Sequence, residues 1–421
     1  MGNVLSWISH TLLPQIPRGI RNRVIPGNDA IIQREIDTAI EELRIHSDVV
    51  TVFSSLMARL GVHWRTSSAN DEKNTHVEEK RLRTEYANNI RLIPVQTAGA
   101  NEIAKVTSVR IREPLLGEGE KVGVIVPGFA QILDTIDPLT LALGMEGADQ
   151  FTKIIVLALP EIPHGDTPSQ HLDRDATLLV RALQQFDQTV LSSSEVTVIG
   201  FSEGAGITEH VATNLKTLGV PRVRAIFLSS TGLGQIASGN PFRFGLRVLL
   251  EGGRIALGLL NIRPDPEMNE LFRGITLRQK LINTVYLGEL LYRIVARINV
   301  PMLVSDLFFH RDTPRVQQMR QIAEANPTHG EDTGIERYFV LPSVDEIFPF
   351  SQIIPWIQNE LLKRGESTEG TYIELIARYT RTDPSRVQII GREGSYSVHH
   401  GLPVTAGSVI AGKILDVLRV P

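Results

Sequence analysis

Gly200-Phe201-Ser202-Glu203-Gly204 has the form G-x-S-x-G, and it sits between two different textures of sequence. Before it runs the β-branched stretch Glu-Val-Thr-Val-Ile, and after it a helical period begins. Such a context predicts a strand, a sharp turn and a helix, with the serine at the turn. The neighbours of a strained turn residue must be small, and Gly200, Gly204 and Gly206 meet that demand. The turn lifts the Ser202 hydroxyl above the carboxyl edge of the sheet, where the helix start directs N–H groups and its positive dipole end. A serine hydroxyl is a poor nucleophile at neutral pH, so this chemistry requires a base within hydrogen-bond reach and an acidic group that orients the base.

With an elbow of this kind the expected chain order is Ser, acid, His. Asp345, in Pro-Ser-Val-Asp-Glu-Ile-Phe-Pro-Phe, reads as a loop residue just beyond a strand at 337–341. Glu346 beside it competes, as does Asp306, which ends Val-Pro-Met-Leu-Val-Ser-Asp, itself a possible strand. His399 and His400 follow a strand at 386–390 across a loop that holds Gly391, Gly394 and Ser395. All three groups are thereby expected at one edge of one sheet.

The elements that must position them begin near residue 100. Short β-branched runs at 106–113, 121–127, 153–159, 195–200, 224–229, 337–341 and 386–390 alternate with helical stretches such as 176–190, 205–218 and 405–418. Uninterrupted apolar strands such as 122–126 and 154–159 suit a mostly parallel sheet covered by helices on both faces, so the fold class is α/β. About a hundred residues separate the strand ending near 229 from that at 337, too many for a loop. They read as helical, with Phe244, Val248, Leu249, Ile255, Leu259 and Leu260 among basic and acidic side chains.

The stretch from roughly 105 to the C-terminus resembles the α/β-hydrolase superfamily. The resemblance rests on Val-Ile-Val-Pro-Gly-Phe at 124–129, Pro-His-Gly-Asp-Thr at 163–167, the elbow, the Asp345 loop, and His-His-Gly-Leu-Pro-Val-Thr at 399–405. It implies an oxyanion hole built from the backbone N–H groups of Phe129 and Glu203, although Pro127 stands where such proteins often carry His. It favours Asp345 as the acid, by its spacing from the final strand. It favours His400 over His399 as the base because Pro403 follows His400 by three positions, leaving His399 to pack beside the pocket or contact substrate. The implied organisation is an N-terminal helical extension and linker at 1–84, a core at 100–232 and 337–421, and a helical cap insertion at 233–336. The implied activity is that of a serine hydrolase cleaving a carboxylic ester or thioester. A cap rich in Leu, Ile and Phe suits an apolar acyl group, though those side chains can equally serve to join cap to core. An acyltransferase or peptidase would use the same residues, and a non-catalytic interaction protein on the same sheet is the rival class.

Composition narrows the rest. The chain of 421 residues has no cysteine, which removes disulfides, thiolate nucleophiles and Cys-ligated metals. A formal charge of -4 supplies no basic field for a nucleic acid. No membrane span, cofactor fingerprint or metal-ligand spacing is present: His164 and Asp166 read as structural loop residues and His210 as a packed or surface side chain. No cofactor is expected, and the partner is a small-molecule or lipid ester.

Upstream, Ile32, Ile36, Ala39, Ile40 and Leu43 make one helical stripe, and Val49, Val52, Phe53, Leu56 and Leu60 a second. The polar stretch 66–83 reads as a solvated helix face or linker, with a domain boundary placed there. Gly2 and Ser6 fit an N-myristoylation pattern, with Arg18, Arg21 and Arg23 close behind. The expected location is cytoplasmic, with peripheral membrane contact if Gly2 is acylated.

Overall fold

The computed structural model describes residues 69–97, 100–128, 133, 136–157, 168–229, 334–343, 345, 350–391, 403 and 406–419. All of these lie in the second of two units, Met1–His63 and Trp64–Pro421. The expected N-terminal stripes, the Gly2 pattern, the cap insertion up to residue 333, Asp306, Glu346, and His164 with Asp166 fall outside the described residues.

Eight strands form one sheet: β1 (Arg91–Thr97), β2 (Ala100–Arg110), β3 (Lys121–Val126), β4 (Lys153–Leu157), β5 (Glu195–Gly200), β6 (Arg222–Phe227), β7 (Ile335–Pro342) and β8 (Val387–Ile390). Their order is β1-β2-β4-β3-β5-β6-β7-β8. β2 runs antiparallel to both β1 and β4, and every other neighbouring pair is parallel. This mostly parallel order is that of the α/β-hydrolase fold. The seven strands read from the sequence are all present, β5 with the expected ends and the others with shifted ends.

The described helices are α1 (Ala69–Asn88), α2 (Pro138–Glu146), α3 (Pro168–Phe186), α4 (Glu203–Thr217), α5 (Phe350–Lys363), α6 (Tyr372–Thr380) and α7 (Gly407–Leu418). Strand residues alternate between two apolar layers. Val122, Val124, Val126, Val196, Val198, Ala225, Phe227, Phe339 and Leu341 face α3, α4, α5 and α6. Ile125, Ile154, Val156, Ile199, Ile226, Tyr338 and Val340 face α1, α2 and α7. Burial on both faces explains why β3 and β4 read as continuous apolar runs. Phe227 and Phe339, direct partners across β6 and β7, stack with ring centroids 4.8 Å apart.

Two elements precede residue 100. In β1, Pro94 removes a ladder donor and Leu92 is exposed, a composition suited only to an edge strand. α1 occupies the stretch that the sequence presents as solvated helix or linker. It is polar along most of its described surface, laced by Arg81 to Glu78 and Glu85 and by Arg83 to Glu79, but it buries Leu82 and Tyr86 completely against the sheet domain. β7 begins at Ile335, two residues before the strand start expected at 337.

The amino edge of the parallel strands carries a network of ion pairs. Arg222 on β6 donates Nε to Glu336 Oε1 at 2.7 Å and Nη2 to Oε2 at 3.0 Å, while Tyr338 donates its hydroxyl to Oε2 at 2.9 Å. Arg224 pairs with Glu195 at 2.9 Å, and the Arg386 guanidinium lies over the Tyr338 ring. Burial pushes the Glu336 carboxyl up, but the hydrogen bonds from Arg222 and Tyr338 and the charges of Arg222 and Arg224 outweigh it, lowering the pKa from 4.5 to about 2. A carboxylate with a depressed folded-state pKa stabilises the fold above its unfolded value and loses that contribution as pH falls through the folded value. Unfolding midpoints are therefore expected to drop between pH 4.5 and 2 in part through Glu336, and Glu336→Gln should flatten that drop while lowering stability at pH 7. Denaturant titrations at pH 5 and pH 3 check this; equal slopes for both proteins would contradict it.

Candidate active site

β5 is buried at all six positions and ends at Gly200. Ser202 follows two residues later, and α4 opens at Glu203. Ser202 has φ 52 and ψ -118. Among the described residues one other non-glycine residue has positive φ, Arg381, with φ 51 and ψ 42. Arg381 is thus an ordinary left-handed helix cap, whereas the ψ of Ser202 places it where glycine alone is comfortable. Holding a side chain there costs about 1–3 kcal/mol and requires surroundings that over-determine it.

Those surroundings are present on every side. Phe201 N–H donates to Val126 O at 3.2 Å, Leu228 N–H to Gly200 O at 2.9 Å, and Ala205 N–H to Ser202 O at 3.0 Å. The elbow is thereby tied to β3, to the end of β6 and to its own helix. α4 then crosses β3 so closely that a Cβ on Gly204 would lie 2.1 Å from Val126 O and 2.5 Å from Pro127 O, both backbone atoms. The chain beyond β3 is laid against the serine itself: a Cβ on Gly128 would stand 2.8 Å from Ser202 Cβ and 3.0 Å from the Phe201 ring. Only glycine permits this approach, so Gly128 shapes the site as much as the residues of the G-x-S-x-G run. A glycine immediately after an apolar strand was its signal in the sequence.

Asp345 lies three residues beyond the end of β7 and is 3% exposed. Ser343 N–H donates to Ile390 O at 2.8 Å, tying the path toward Asp345 to the end of β8. Since β3, β5, β6, β7 and β8 are successive parallel neighbours, Gly128, Ser202 and Asp345 stand at the same carboxyl edge, with β5 and β7 about 10 Å apart across β6. Glu203 opens α4, whose first N–H groups have no partner within the helix. Phe129, His399 and His400 lie outside the described residues, although the chain on either side of the His399–His400 segment is described. Gly391 follows β8 at this edge, and α7 begins at Gly407 so near to α2 that a Cβ there would stand 2.5 Å from Leu139 N.

α2 also starts at this edge, capped by Asp137, whose Oδ1 accepts from Leu139 N–H and Thr140 N–H at 3.0 Å each. Burial pushes the Asp137 carboxyl up from its ordinary value against those hydrogen bonds. His210, half-buried on α4, is not brought to the turn: it lies eight residues along the helix from Ser202. Among the described residues no cluster of three or more His, Asp or Glu is placed to hold a metal ion.

No protein-family model and no curated protein sequence matches the chain. Among solved structures it is similar to an esterase from Pyrobaculum calidifontis, at 14% identity over 87% of this chain and 98% of that one, TM-score 0.41. It is similar also to a thermophilic esterase from Thermogutta terrifontis, at 14% identity over 78% and 98%, TM-score 0.38. An epoxide hydrolase from Vigna radiata matches at 13% identity over 79% and 98%, TM-score 0.38.

Two substitutions test the elbow. Gly204→Ala should destabilise by about 2 kcal/mol or more, because the colliding carbonyls belong to a central strand and cannot move aside. Ser202→Gly should stabilise by about 1 kcal/mol, the released strain exceeding the added freedom of the unfolded chain. Thermal unfolding of both variants decides it: a lower midpoint for Ser202→Gly would mean that the serine is not strained.

Proposed function

We propose that this chain is a serine hydrolase that cleaves a carboxylic ester or thioester. The observation that carries the reading is the backbone of Ser202, a side-chain-bearing residue held at φ 52 and ψ -118 between a buried strand and a helix start. That conformation disfavours every residue but glycine, and a plain binding platform has no need of it. It suits a hydroxyl that must stand clear of the sheet at the head of a helix dipole.

Ser202 Oγ attacks the substrate carbonyl carbon while His400 takes the hydroxyl proton, giving a tetrahedral oxyanion. The N–H groups of Phe129 and Glu203 hold that oxyanion, each donor worth about 3–4 kcal/mol in comparable sites. Collapse breaks the carbonyl–oxygen or carbonyl–sulfur bond, and His400 returns its proton to the leaving alcohol or thiol. Water, deprotonated by the same imidazole, then hydrolyses the acyl-enzyme. Asp345, buried beyond β7, fixes the tautomer of His400 and stabilises the imidazolium. The segment 392–402 departs from Gly391 at the edge that holds Ser202, which supports an imidazole from His399–His400 as the base. His399 is assigned to the pocket wall. Apolar side chains in 233–336 favour an apolar acyl group, and the substrate is a small-molecule or lipid ester. Among the described residues no helix is long and apolar enough to cross a membrane. Contact with a bilayer would come through Gly2 and the basic residues that follow.

A fluorophosphonate probe is expected to label the wild-type chain and not Ser202→Ala, and Asp345→Asn should lower kcat by about 10⁴ through the wrong imidazole tautomer. With no cysteine in the chain, the neutral limb of the pH–rate profile reports the histidine, and thiol reagents should leave activity intact. A p-nitrophenyl ester series from acetate to palmitate reads acyl preference. A folded wild-type sample that resists the probe overturns the assignment.

A further inference from the structure

α4 and β7, which lead from Ser202 and toward Asp345, are joined by an ion pair inside the apolar layer. Arg337 on β7 donates Nη2 to Glu209 Oε1 at 2.5 Å and Nε to Oε1 and Oε2 at 3.1 and 3.0 Å. The arginine is 7% and the glutamate 2% exposed. Arg337 shares its strand face with Ile335, Phe339 and Leu341, and on α4 the buried Ala205 and Ala212 flank Glu209 by a turn or so on either side.

Desolvating two charges is costly, and well-packed apolar side chains in the same space usually stabilise a fold as well or better. Stability alone therefore does not account for the pair. A forked guanidinium on a carboxylate does what leucine and methionine cannot: it has one good geometry, and it selects one position of the helix along the strand. Glu209 is seven residues beyond Ser202, and Arg337 is eight residues before Asp345. The bond therefore links the two routes that carry those side chains to the edge, across β6.

We propose that Glu209 and Arg337 are positioning residues for the hydrolysis, setting the height of α4 on β7 and with it the placement of Ser202 relative to Asp345. The inference rests on the reading of Ser202 as nucleophile. Misplacement of a reacting group by about 1 Å costs on the order of 100-fold in rate, so a small slip suffices.

The test uses the full chain and the double variant Glu209→Leu/Arg337→Met, compared with the wild type in thermal unfolding, fluorophosphonate labelling, and kcat and KM on one p-nitrophenyl ester. The expected result is an unfolding midpoint close to wild type, kcat and labelling rate lowered together by about 10- to 100-fold, KM within twofold, and an unmoved pH–rate midpoint. Arg337→Lys should fail to restore the rate, since an ammonium lacks the fork. Wild-type kcat in the double variant overturns the proposal, as does a loss that only tracks the fraction unfolded. Should the double variant not fold, Glu209→Gln takes its place, with the same signature expected at smaller size and wild-type kcat again overturning it. If the wild type itself neither labels nor hydrolyses, the hydrolase reading fails separately. The pair is then judged by crystal structures, in which α4 shifted along β7 in the variant supports a positioning role and an unshifted α4 refutes it.

Discussion

An L-amino acid held where glycine belongs is the constraint on which this structure turns. Ser202 adopts φ 52 and ψ -118 because β5 has no freedom to end otherwise and α4 has none to begin otherwise. The strand is buried along its whole length, and the turn is hydrogen-bonded to Val126 on one side and, through Gly200, to Leu228 on the other. The helix approaches β3 to within the reach of a missing methyl group at Gly204. Relaxing Ser202 would mean lifting α4 off the sheet and opening the apolar layer that α3, α4, α5 and α6 share with the strands. The strain is local, while the packing that enforces it spans most of that layer.

Among the described residues, the carboxylates at the two edges of the sheet are held differently. At the amino edge, carboxylates are met by guanidinium groups, and Glu336 is held ionised by Arg222 even though partly buried. At the carboxyl edge, the half-buried Asp137 is satisfied by backbone and hydroxyl donors of its own helix, and desolvation pushes its pKa up rather than down. Paired charges at one end fix strand register without crowding the end where Ser202 and Asp345 stand. The Glu209–Arg337 pair extends this registration inward, from the strand ends to the helix that carries the serine.

Legibility in the sequence followed burial. Strands covered on both faces, such as β3 and β4, are continuous apolar runs and stand out, as does the elbow, because its glycines are a local demand of a local turn. β1 is not evident in the sequence: Ile93 and Val95 are buried in alternation, but the exposed Leu92 and Pro94, which suit an edge, are apolar too and hide that alternation. α1 has only a few buried apolar side chains, Leu82 and Tyr86 among them, so its polar majority reads as solvated linker. Asp345 is singled out in the sequence by its place beyond a strand, and it lies buried three residues past the end of β7. Glu209 and Arg337 could not be, since 128 residues separate them and neither breaks a local pattern: a glutamate on a helix and an arginine in a strand are each ordinary until the fold buries them together.

A sheet of this order does not by itself specify an activity, because many functions share it. The discriminating feature is energetic. Were the carboxyl edge only a surface for binding, glycine at 202 would give the same turn without strain, and the close approaches at Gly128 and Gly204 would still close the structure. In the proposed hydrolase, the hydroxyl is what a side chain at 202 supplies and the backbone cannot, which offsets the strain. Its location narrows what that hydroxyl does: at the head of a helix, against the chain that leaves β3, on the same edge as a buried carboxylate. In the hydrolase proposed above, an oxygen there meets the first N–H groups of α4, and acyl transfer is the chemistry in which a hydroxyl nucleophile creates a negative charge within reach of its own turn.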